Sequence, residues 1–229
     1  MRYFITFFFA VISICTLAQE NYYISPVKIP IFLSGSFAEL RSNHFHSGID
    51  IKTQRKPGFP VHSVAEGFIS HIVVSPTGFG NALYVDHPNG TTSVYAHLEG
   101  FREDIKKYVR ELQYKQKSFR IDEKVTENLF VVRQDEVIAK TGNSGSSGGP
   151  HLHFEIRDTE TEEPLNPLKF SFPVTDNIPP KMYSIMVVPL NEFSHVDFSP
   201  EKKSYPVILN NGKNQLQEKQ IIPDRKSTR

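Results

Sequence analysis

The sequence predicts a mainly β domain built of antiparallel strands, and three observations support this prediction. Short alternations of apolar and polar residues recur between residues 21 and 100, with Gly, Pro and Asn between them. The segments "ALYVDH" and "TTSVYAHL" flank "PNG", a pattern typical of a β-hairpin. Residues 151–157, "HLHFEIR", alternate with the period of a half-buried strand. Turn signals at such short intervals are typical of all-β proteins.

The later elements are predicted from the same kind of pattern. Residues 60–74 fit two strands broken at Glu66-Gly67. Residues 101–118 are predicted to form an amphipathic helix, because apolar residues recur there at positions i, i+3, i+4 and i+7. The apolar positions are Ile105, Tyr108, Val109 and Leu112. We interpret this helix as an insertion in the β domain.

Length and charge limit the organisation of the chain and its partners. The 229 residues are enough for one sizeable domain and part of another. The formal net charge of +1 produces no strong field towards nucleic acid, so a nucleic-acid partner is not expected. We predict a lead-in over residues 19–33 and one domain over residues 34–170. Residues 171–229 are predicted to be a linker and the start of an incomplete second β domain.

The first residues have the features of a targeting segment. Residues 1–18 combine an early Arg2, an apolar centre and a small residue before Gln19, which predicts a secretory signal peptide. A transmembrane anchor is the alternative, but the apolar run is short for a span of about 20 residues. The single cysteine, Cys15, lies inside this segment, so the mature protein would contain none. A metal site would therefore have to use His, Asp or Glu.

Histidines in two separate motifs point to a metal site. On a strand, His151 and His153 share one face, and so do His46 and Asp50 on an extended segment. With His153 as a third ligand, two His and one Asp would leave one tetrahedral position open, as in catalytic zinc sites. The sequence has no HExxH motif, so a general base would have to be a histidine. The candidates are His151 and His97.

Simpler explanations exist for each part of this pattern. HxH on a strand is usually a polar outer face, and HxxxD alone is weaker evidence; their coexistence in one β domain favours the metal site. Glu155 shares the face of His153 and is expected to play a supporting role, because it lies farther along the strand. Tyr95 shares the predicted face of His97 and could line the cleft. Packing or solvent positions are expected for the remaining histidines, namely His44, His62, His71, His87 and His195.

Taken together, the motifs resemble the lysostaphin/LytM-type peptidoglycan metallopeptidases. "HSGID", "GNALYVDHPNGTTSVYAHL" and "TGNSGSSGGPHLHFEIRD" occur in the order of that family, and the resemblance runs from about Ser34 to Pro167. It implies an antiparallel β-sheet domain with a groove, similar to a duplicated hybrid motif. It implies three zinc ligands, which are His46, Asp50 and His153. It also implies that His151 acts on the zinc-bound water and that His97 assists.

Three departures from the family pattern stand out. Ala38 and Asp135 occupy positions where relatives often carry Gly, and Asp tolerates such turns. The helix over residues 101–118 replaces a short loop of simpler members. None of the three touches the predicted metal ligands, so the helix bears on substrate access and not on the chemistry.

The resemblance implies a secreted zinc endopeptidase that hydrolyses peptide bonds of peptidoglycan during cell-wall remodelling, in the periplasm or cell envelope. An alternative is a non-hydrolytic regulatory module that binds or activates a wall amidase. Another is a carrier domain of the sugar phosphotransferase type, which uses paired histidines without zinc. An envelope protein partner is expected through the inserted helix or the C-terminal segment. The sequence leaves open which cross-link is cut and which of His97 and His151 is the base.

Overall fold

The structure is a computed structural model that describes residues 22–41, 44–127, 129–174, 181–191 and 193–217. The chain divides into two compact units, Met1–Asp176 and Asn177–Arg229. The predicted signal peptide, residues 1–18, lies outside the described residues. Among the described residues, no helix combines the length and the apolar character needed to span a membrane. The predicted boundaries of the domains at residues 34–170 and 171–229 remain predictions.

Strands dominate both units, and the named strands pair antiparallel throughout. In chain order the elements are β1 (Leu33–Gly35), β2 (Ile49–Lys52), β3 (Pro60–His62), β4 (Gly67–Val74), β5 (Asn81–Asp86), β6 (Thr91–Ala96), β7 (Leu98–Phe101), α1 (Glu103–Gln116), β8 (Ile121–Lys124), β9 (Val131–Val132), β10 (Val137–Thr141), β11 (His151–Asp158), β12 (Pro164–Leu165), a 3₁₀ helix (Pro167–Phe170), β13 (Ser184–Val187), β14 (Lys203–Asn210) and β15 (Lys213–Leu216). The predicted mainly β, antiparallel fold class with an inserted helix is confirmed.

The first unit contains a nine-stranded sheet and a three-stranded sheet. The large sheet has the order β1-β2-β11-β6-β5-β4-β8, with β12 beside β11 and β9 beside β4. The small sheet has the order β3-β10-β7. Strand β11 therefore lies inside the large sheet, between β2 and β6. Its apolar residues, Leu152, Phe154 and Ile156, are fully buried in the core, and its other face carries the two histidines of the HxH motif.

Helix α1 packs on the domain that contains it. It is four residues shorter than the predicted 101–118, because Phe101 still belongs to β7 and Lys117 closes the helix with a left-handed φ of 49°. Ile105 and Val109 are buried in the core, and the Tyr108 ring meets Phe130 edge-on. The helix contacts β7 and β8, and β8 is separated from β11 by three strands. The apolar stripe thus extends the core of the domain.

The conformation of His97 breaks the strand alternation that the sequence suggests. Alternation predicts Tyr95 and His97 on one face, but His97 has a left-handed φ of 57°, and β6 ends at Ala96. Tyr95 is fully buried, and its hydroxyl accepts hydrogen bonds from Val64 N (2.9 Å) and Ser93 Oγ (3.0 Å). The expectation that Tyr95 lines the cleft is therefore wrong. Period-two alternation holds only while the backbone stays extended.

Ala38 and Asp135, which occupy positions where relatives often carry Gly, both have a left-handed backbone conformation. Ala38 has a φ of 61° and Asp135 a φ of 70°. Glycine adopts this conformation without steric cost, whereas a Cβ disfavours it by about 1–2 kcal/mol. Asp135 has compensating contacts, since its carboxylate pairs with Lys28 Nζ at 2.5 Å and His62 Nδ1 at 3.1 Å. Ala38 is exposed and has no side chain that could compensate in this way.

Ala38→Gly should therefore stabilise the first unit. We expect a gain of up to about 1 kcal/mol, because relief of the left-handed strain exceeds the extra chain entropy of glycine. Urea unfolding measures the change. Ala139→Gly in β10 is the control, since Ala139 is buried in a strand without positive φ and its loss should destabilise. A lower stability of Ala38→Gly would contradict the backbone assignment.

The second unit contains an antiparallel three-stranded sheet, β13-β14-β15, within the described residues 181–191 and 193–217. Next to this sheet, the carbonyl oxygen of Tyr183 accepts a hydrogen bond from Val207 N at 2.9 Å. Tyr205 is buried in this unit, while Ile185 and Met186 of β13 are exposed. The sheet lies in the segment where the sequence predicts the start of a second β domain.

Candidate metal centre

The HSGID segment is brought against β11 by a glycine. A Cβ on Gly48 would lie 2.3 Å from the carbonyl oxygen of Phe154, which no side chain tolerates. Immediately after it, β2 pairs with β11 so that Asp50 lies directly opposite His153. Directly opposed residues have Cβ atoms about 4.5–5.5 Å apart on the same face. The close approach at Gly48 thus fixes the register that joins the two motifs.

Three donor atoms meet at this point of the sheet. His46 Nε2 lies 3.0 Å from His153 Nδ1 and 3.2 Å from Asp50 Oδ1, and His153 Nδ1 lies 3.0 Å from Asp50 Oδ1. All three residues are buried. A tetrahedral zinc ion with bonds of about 2.0–2.1 Å holds its ligand atoms about 3.3–3.4 Å apart. We call this trio the donor triangle; its edges fit such an ion after a shift of a few tenths of an ångström.

In each of the three side chains, a hydrogen bond at the other polar atom orients the donor atom towards the triangle. His46 Nδ1 donates to the carbonyl of Ser36 at 2.9 Å, which leaves the lone pair on Nε2. His153 Nε2 donates to Glu155 Oε1 at 2.7 Å, which leaves the lone pair on Nδ1. Arg41 Nη2 donates to Asp50 Oδ2 at 2.9 Å, so Oδ1 is the oxygen left for the triangle. Carboxylate–histidine pairs of this kind are typical of protein metal sites.

Buried negative charge makes the pocket favourable for a cation. Burial alone would raise the pKa of Asp50. In the metal-free site the surrounding histidines, when protonated, donate hydrogen bonds to its carboxylate, and these outweigh burial and hold the pKa well below its usual range. Burial acts in the same direction on Glu155, yet His153 and Arg157 lower its pKa to about 2. The two carboxylates in turn raise the pKa of His153 against the effect of burial. The pocket therefore already favours positive charge at the place where a metal ion would bind.

Two further histidines lie beside the triangle and not in it. His151 Nε2 is 3.4 Å from Asp50 Oδ1, and the rings of His97 and His151 are 4.7 Å apart between centroids. His151 Nδ1 donates to the carbonyl of Gly149 at 2.8 Å, and His97 Nδ1 donates to that of Ser144 at 2.8 Å. Each Nε2 is therefore left with a lone pair. Burial lowers the pKa of His97 to about 4, so this ring is neutral at neutral pH.

The structure brings together all five residues that the sequence selected: His46, Asp50, His97, His151 and His153. Their individual roles remain predictions. Among the other histidines, His71 pairs with Asp122 at 2.6 Å and His62 with the carbonyl of Asp135 at 2.8 Å, both apart from the triangle.

Sequence reasoning placed Glu155 too far from the site. Its carboxylate contacts His153, because the imidazole ring reaches along the strand towards the residue two positions on. Glu155 also accepts from Ser47 Oγ and from Arg157 Nε. The alternation of His153 and Glu155 on one face was the signal for this contact. Arg41 and Phe79, whose ring stacks on His153 at 5.1 Å, were missed because neither contact follows from a local sequence pattern.

Glu155→Gln should weaken metal binding without removing a ligand. The amide keeps the shape but loses the charge that orients and polarises His153, so we expect zinc affinity to fall about 10–100-fold. Competition with a chromogenic chelator measures the dissociation constant. The control is Glu163→Gln, an exposed glutamate between β11 and β12. Equal affinities of both variants and the wild type would show that Glu155 does not tune the site.

Fold and site together define a β-sheet protein with a candidate mononuclear metal centre. Residues 44–114 match the model of Peptidase family M23, and the chain carries a Peptidase M23 domain. The matched stretch contains His46, Asp50 and His97, whereas His151 and His153 lie beyond it. The resemblance to lysostaphin/LytM-type metallopeptidases is thereby confirmed at the level of the family.

Several bacterial proteins are similar to the chain in sequence. The DD-carboxypeptidase/endopeptidase Mpg of Neisseria meningitidis serogroup B is 31% identical over 137 residues, 60% of this chain and 25% of that protein. The peptidoglycan DD-endopeptidase ShyB of Vibrio cholerae serotype O1 is 25% identical over 151 residues, 66% of this chain and 29% of that protein. The chain thus matches about a quarter of the length of these relatives.

Among solved structures, the catalytic domain of the antimicrobial peptidase lysostaphin from Staphylococcus simulans is 20% identical, with a TM-score of 0.46. The superposition covers 61% of this chain and 91% of the lysostaphin domain.

Proposed function

We propose that the chain is a secreted, zinc-dependent endopeptidase that hydrolyses peptide bonds of peptidoglycan during cell-wall remodelling. The observation that carries the proposal is the buried donor triangle with two histidines beside it, each held by a backbone carbonyl through Nδ1. The names of the relatives support the substrate class, because the Vibrio protein is named a peptidoglycan DD-endopeptidase and the Neisseria protein a DD-carboxypeptidase/endopeptidase. Location in the periplasm or cell envelope is part of the same proposal, on the basis of residues 1–18.

His46, Asp50 and His153 would hold the zinc ion through the atoms of the triangle. When bound, zinc supplies Lewis acidity and lowers the pKa of a coordinated water from about 15.7 to roughly 7. Arg41, Glu155 and the Ser36 carbonyl hold the three side chains in place, so little reorganisation is needed when the ion enters.

His151 is proposed to accept a proton during the reaction. Its Nε2 lies beside Asp50, and its Nδ1 is fixed by the Gly149 carbonyl, so the lone pair points away from the backbone. His97 is proposed to take up a proton from solvent at Nε2 as negative charge develops on the substrate oxygen, and to return it to solvent when that charge is lost. Burial keeps His97 neutral before that moment, and the developing charge favours its protonated form.

The alternative, a non-hydrolytic module that binds or activates a wall amidase, needs no metal ligands and no proton acceptor. The complete donor triangle favours hydrolysis over this alternative. A phosphocarrier is also disfavoured, because the buried Asp50 carboxylate would repel a phosphoryl group on His151.

Incubation of the zinc-loaded protein, from residue 19 onwards, with purified peptidoglycan tests the proposal. Mass analysis of the released fragments should show new amine and carboxyl termini at one peptide bond, which also identifies the bond. The same protein treated with a chelator is the control and should release nothing. Intact peptidoglycan with both samples would overturn the endopeptidase proposal and favour the regulatory module.

A further inference from the structure

A cleft of about 600 Å³ lies beside the donor triangle and has a cationic wall. It runs between the turn that follows β2 and the segment that leads into β11. The residues that matter here are Asp50, Lys52, Thr53, Arg55, Gly149 and His151. We propose that this cleft binds a carboxylate of the substrate, held by Lys52 and Arg55, on the residue next to the scissile bond. The inference rests on the proposed function and specifies its substrate.

Strand register places Lys52 on the same face as the donor triangle. Lys52 lies two residues after Asp50 on β2, and it pairs directly opposite His151 on β11. Directly opposed residues have Cβ atoms about 4.5–5.5 Å apart. Lys52 is exposed, so its ammonium group reaches from the site into the cleft and not into the core.

Arg55 is presented by an unusual turn. Gln54 and Arg55 both have left-handed φ values, 54° and 61°, and Lys56 N closes the turn by donating to the Thr53 carbonyl at 2.9 Å. Two-residue turns of this kind favour Asn-Gly, since residues with a larger Cβ substituent are disfavoured there. A strained conformation that places a guanidinium at the rim of a site is more readily explained by function than by stability.

The charges of the cleft are not balanced by the protein. Arg41 already donates to Asp50 at 2.9 Å and lies 3.5 Å from Glu39. Neither Lys52 nor Arg55 forms an ion pair with any residue of the described part of the chain. Two free cations are the groups that a carboxylate would engage.

The position of the cleft defines which carboxylate fits. Because Asp50 and His151 form part of its wall, a group bound there is within about one residue of the bond that reacts. Two sources share this chemistry: the C-terminal carboxylate of a peptide, and the α-carboxylate of a residue whose side-chain amine forms the scissile amide. Both place an anion beside the nitrogen that leaves.

A matched series of synthetic peptides tests the proposal. Each peptide contains the bond identified from peptidoglycan, and the leaving residue carries either a free carboxylate or a carboxamide. One arm places this group at the C terminus and the other on a residue linked through its side-chain amine. The wild type should prefer the carboxylate in at least one arm, by about tenfold or more in kcat/KM, as charge-assisted hydrogen bonds do in semi-enclosed sites.

Lys52→Gln and Arg55→Gln should each reduce this carboxylate-to-carboxamide ratio several-fold, and the double variant should bring it close to 1. Lys140→Gln on β10 is the control, since Lys140 is an exposed lysine that does not line the cleft, and its ratio should equal that of the wild type. Circular dichroism confirms that each variant is folded.

A binding measurement on the metal-free protein separates this inference from the proposed activity. Titration with the carboxylate peptide should shift the backbone amide resonances of Thr53–Lys56, and the carboxamide should not. Cleavage of both peptides at equal rates in both arms would overturn the carboxylate site and leave the endopeptidase proposal standing. Cleavage of neither peptide and of no peptidoglycan would overturn the endopeptidase proposal, and the titration then decides the carboxylate site by itself.

Discussion

Asp50→Ala should abolish zinc binding by the purified protein. The wild type is expected to contain about one zinc ion per chain, since the described residues hold one donor triangle, and three protein ligands are the usual number in a catalytic zinc site. Asp50 Oδ1 is the atom that lies within 3.4 Å of the nearest nitrogens of His46, His151 and His153. Its removal takes away one of three ligands and the negative charge that makes the pocket favourable for a dication. Two neutral imidazoles and water do not replace either contribution.

Metal analysis by mass spectrometry after dialysis measures this loss directly. Asp122→Ala is the matched control: Asp122 also pairs with a histidine, His71, but is mostly exposed and lies on β8. Thermal unfolding gives a second readout, because excess zinc at about 1,000 times its dissociation constant adds roughly 4 kcal/mol to the stability of a protein that binds it. The zinc-dependent shift should be present in the wild type and Asp122→Ala and absent in Asp50→Ala. Stoichiometric zinc in Asp50→Ala would refute the ligand assignment.

The part of this site that the sequence predicts is the part encoded by local periodicity. Alternation over residues 151–157 places His151 and His153 on one face and Leu152 and Phe154 in the core, and the structure has this arrangement. The spacing of His46 and Asp50 around Gly48 is equally local. Pairing of the two motifs depends on the register of β2 against β11, which only the tertiary fold provides.

The errors come from backbone conformations and contacts that local patterns do not encode. The left-handed φ of His97 turns this residue away from the alternation of β6, and a histidine in that conformation has no sequence signature comparable to glycine. Tyr95 accordingly belongs to the core and not to the cleft. The contact of Arg41 with Asp50 spans nine residues through a bend, so its role as a partner of the metal ligand emerges only from the structure.

The prediction for the helix was right about its existence and incomplete about its position. Periodicity identified the apolar stripe, and Ile105 and Val109 are indeed buried. The direction in which a helix turns after a strand is set by the surface that can receive its apolar stripe. Here that surface is formed by β7, β8 and the core around Phe130, which only the tertiary fold brings together.

His151→Ala and His97→Ala should retain zinc and lose peptidase activity. Both rings lie outside the donor triangle, and each is held by a backbone carbonyl through Nδ1, so neither is needed to bind the ion. Loss of a group that accepts a proton or stabilises developing charge typically lowers the rate about 10²-fold or more. We expect kcat/KM on peptidoglycan peptides to fall by at least this factor in each variant, with zinc content close to one per chain.

The double variant shows whether the two histidines act together. Their rings are 4.7 Å apart, so removal of both should cost little more than removal of one if they serve the same proton-transfer step. His71→Ala is the matched control, because this ring also pairs with a carboxylate but lies on β4, three strands from β11, and its loss should leave the rate unchanged. A loss of zinc in His151→Ala would mean that the two histidines of the HxH motif have exchanged roles. Unchanged activity in both single variants would require the proton acceptor to be sought elsewhere, and Glu155, already ionised beside His153, would be the next group to test.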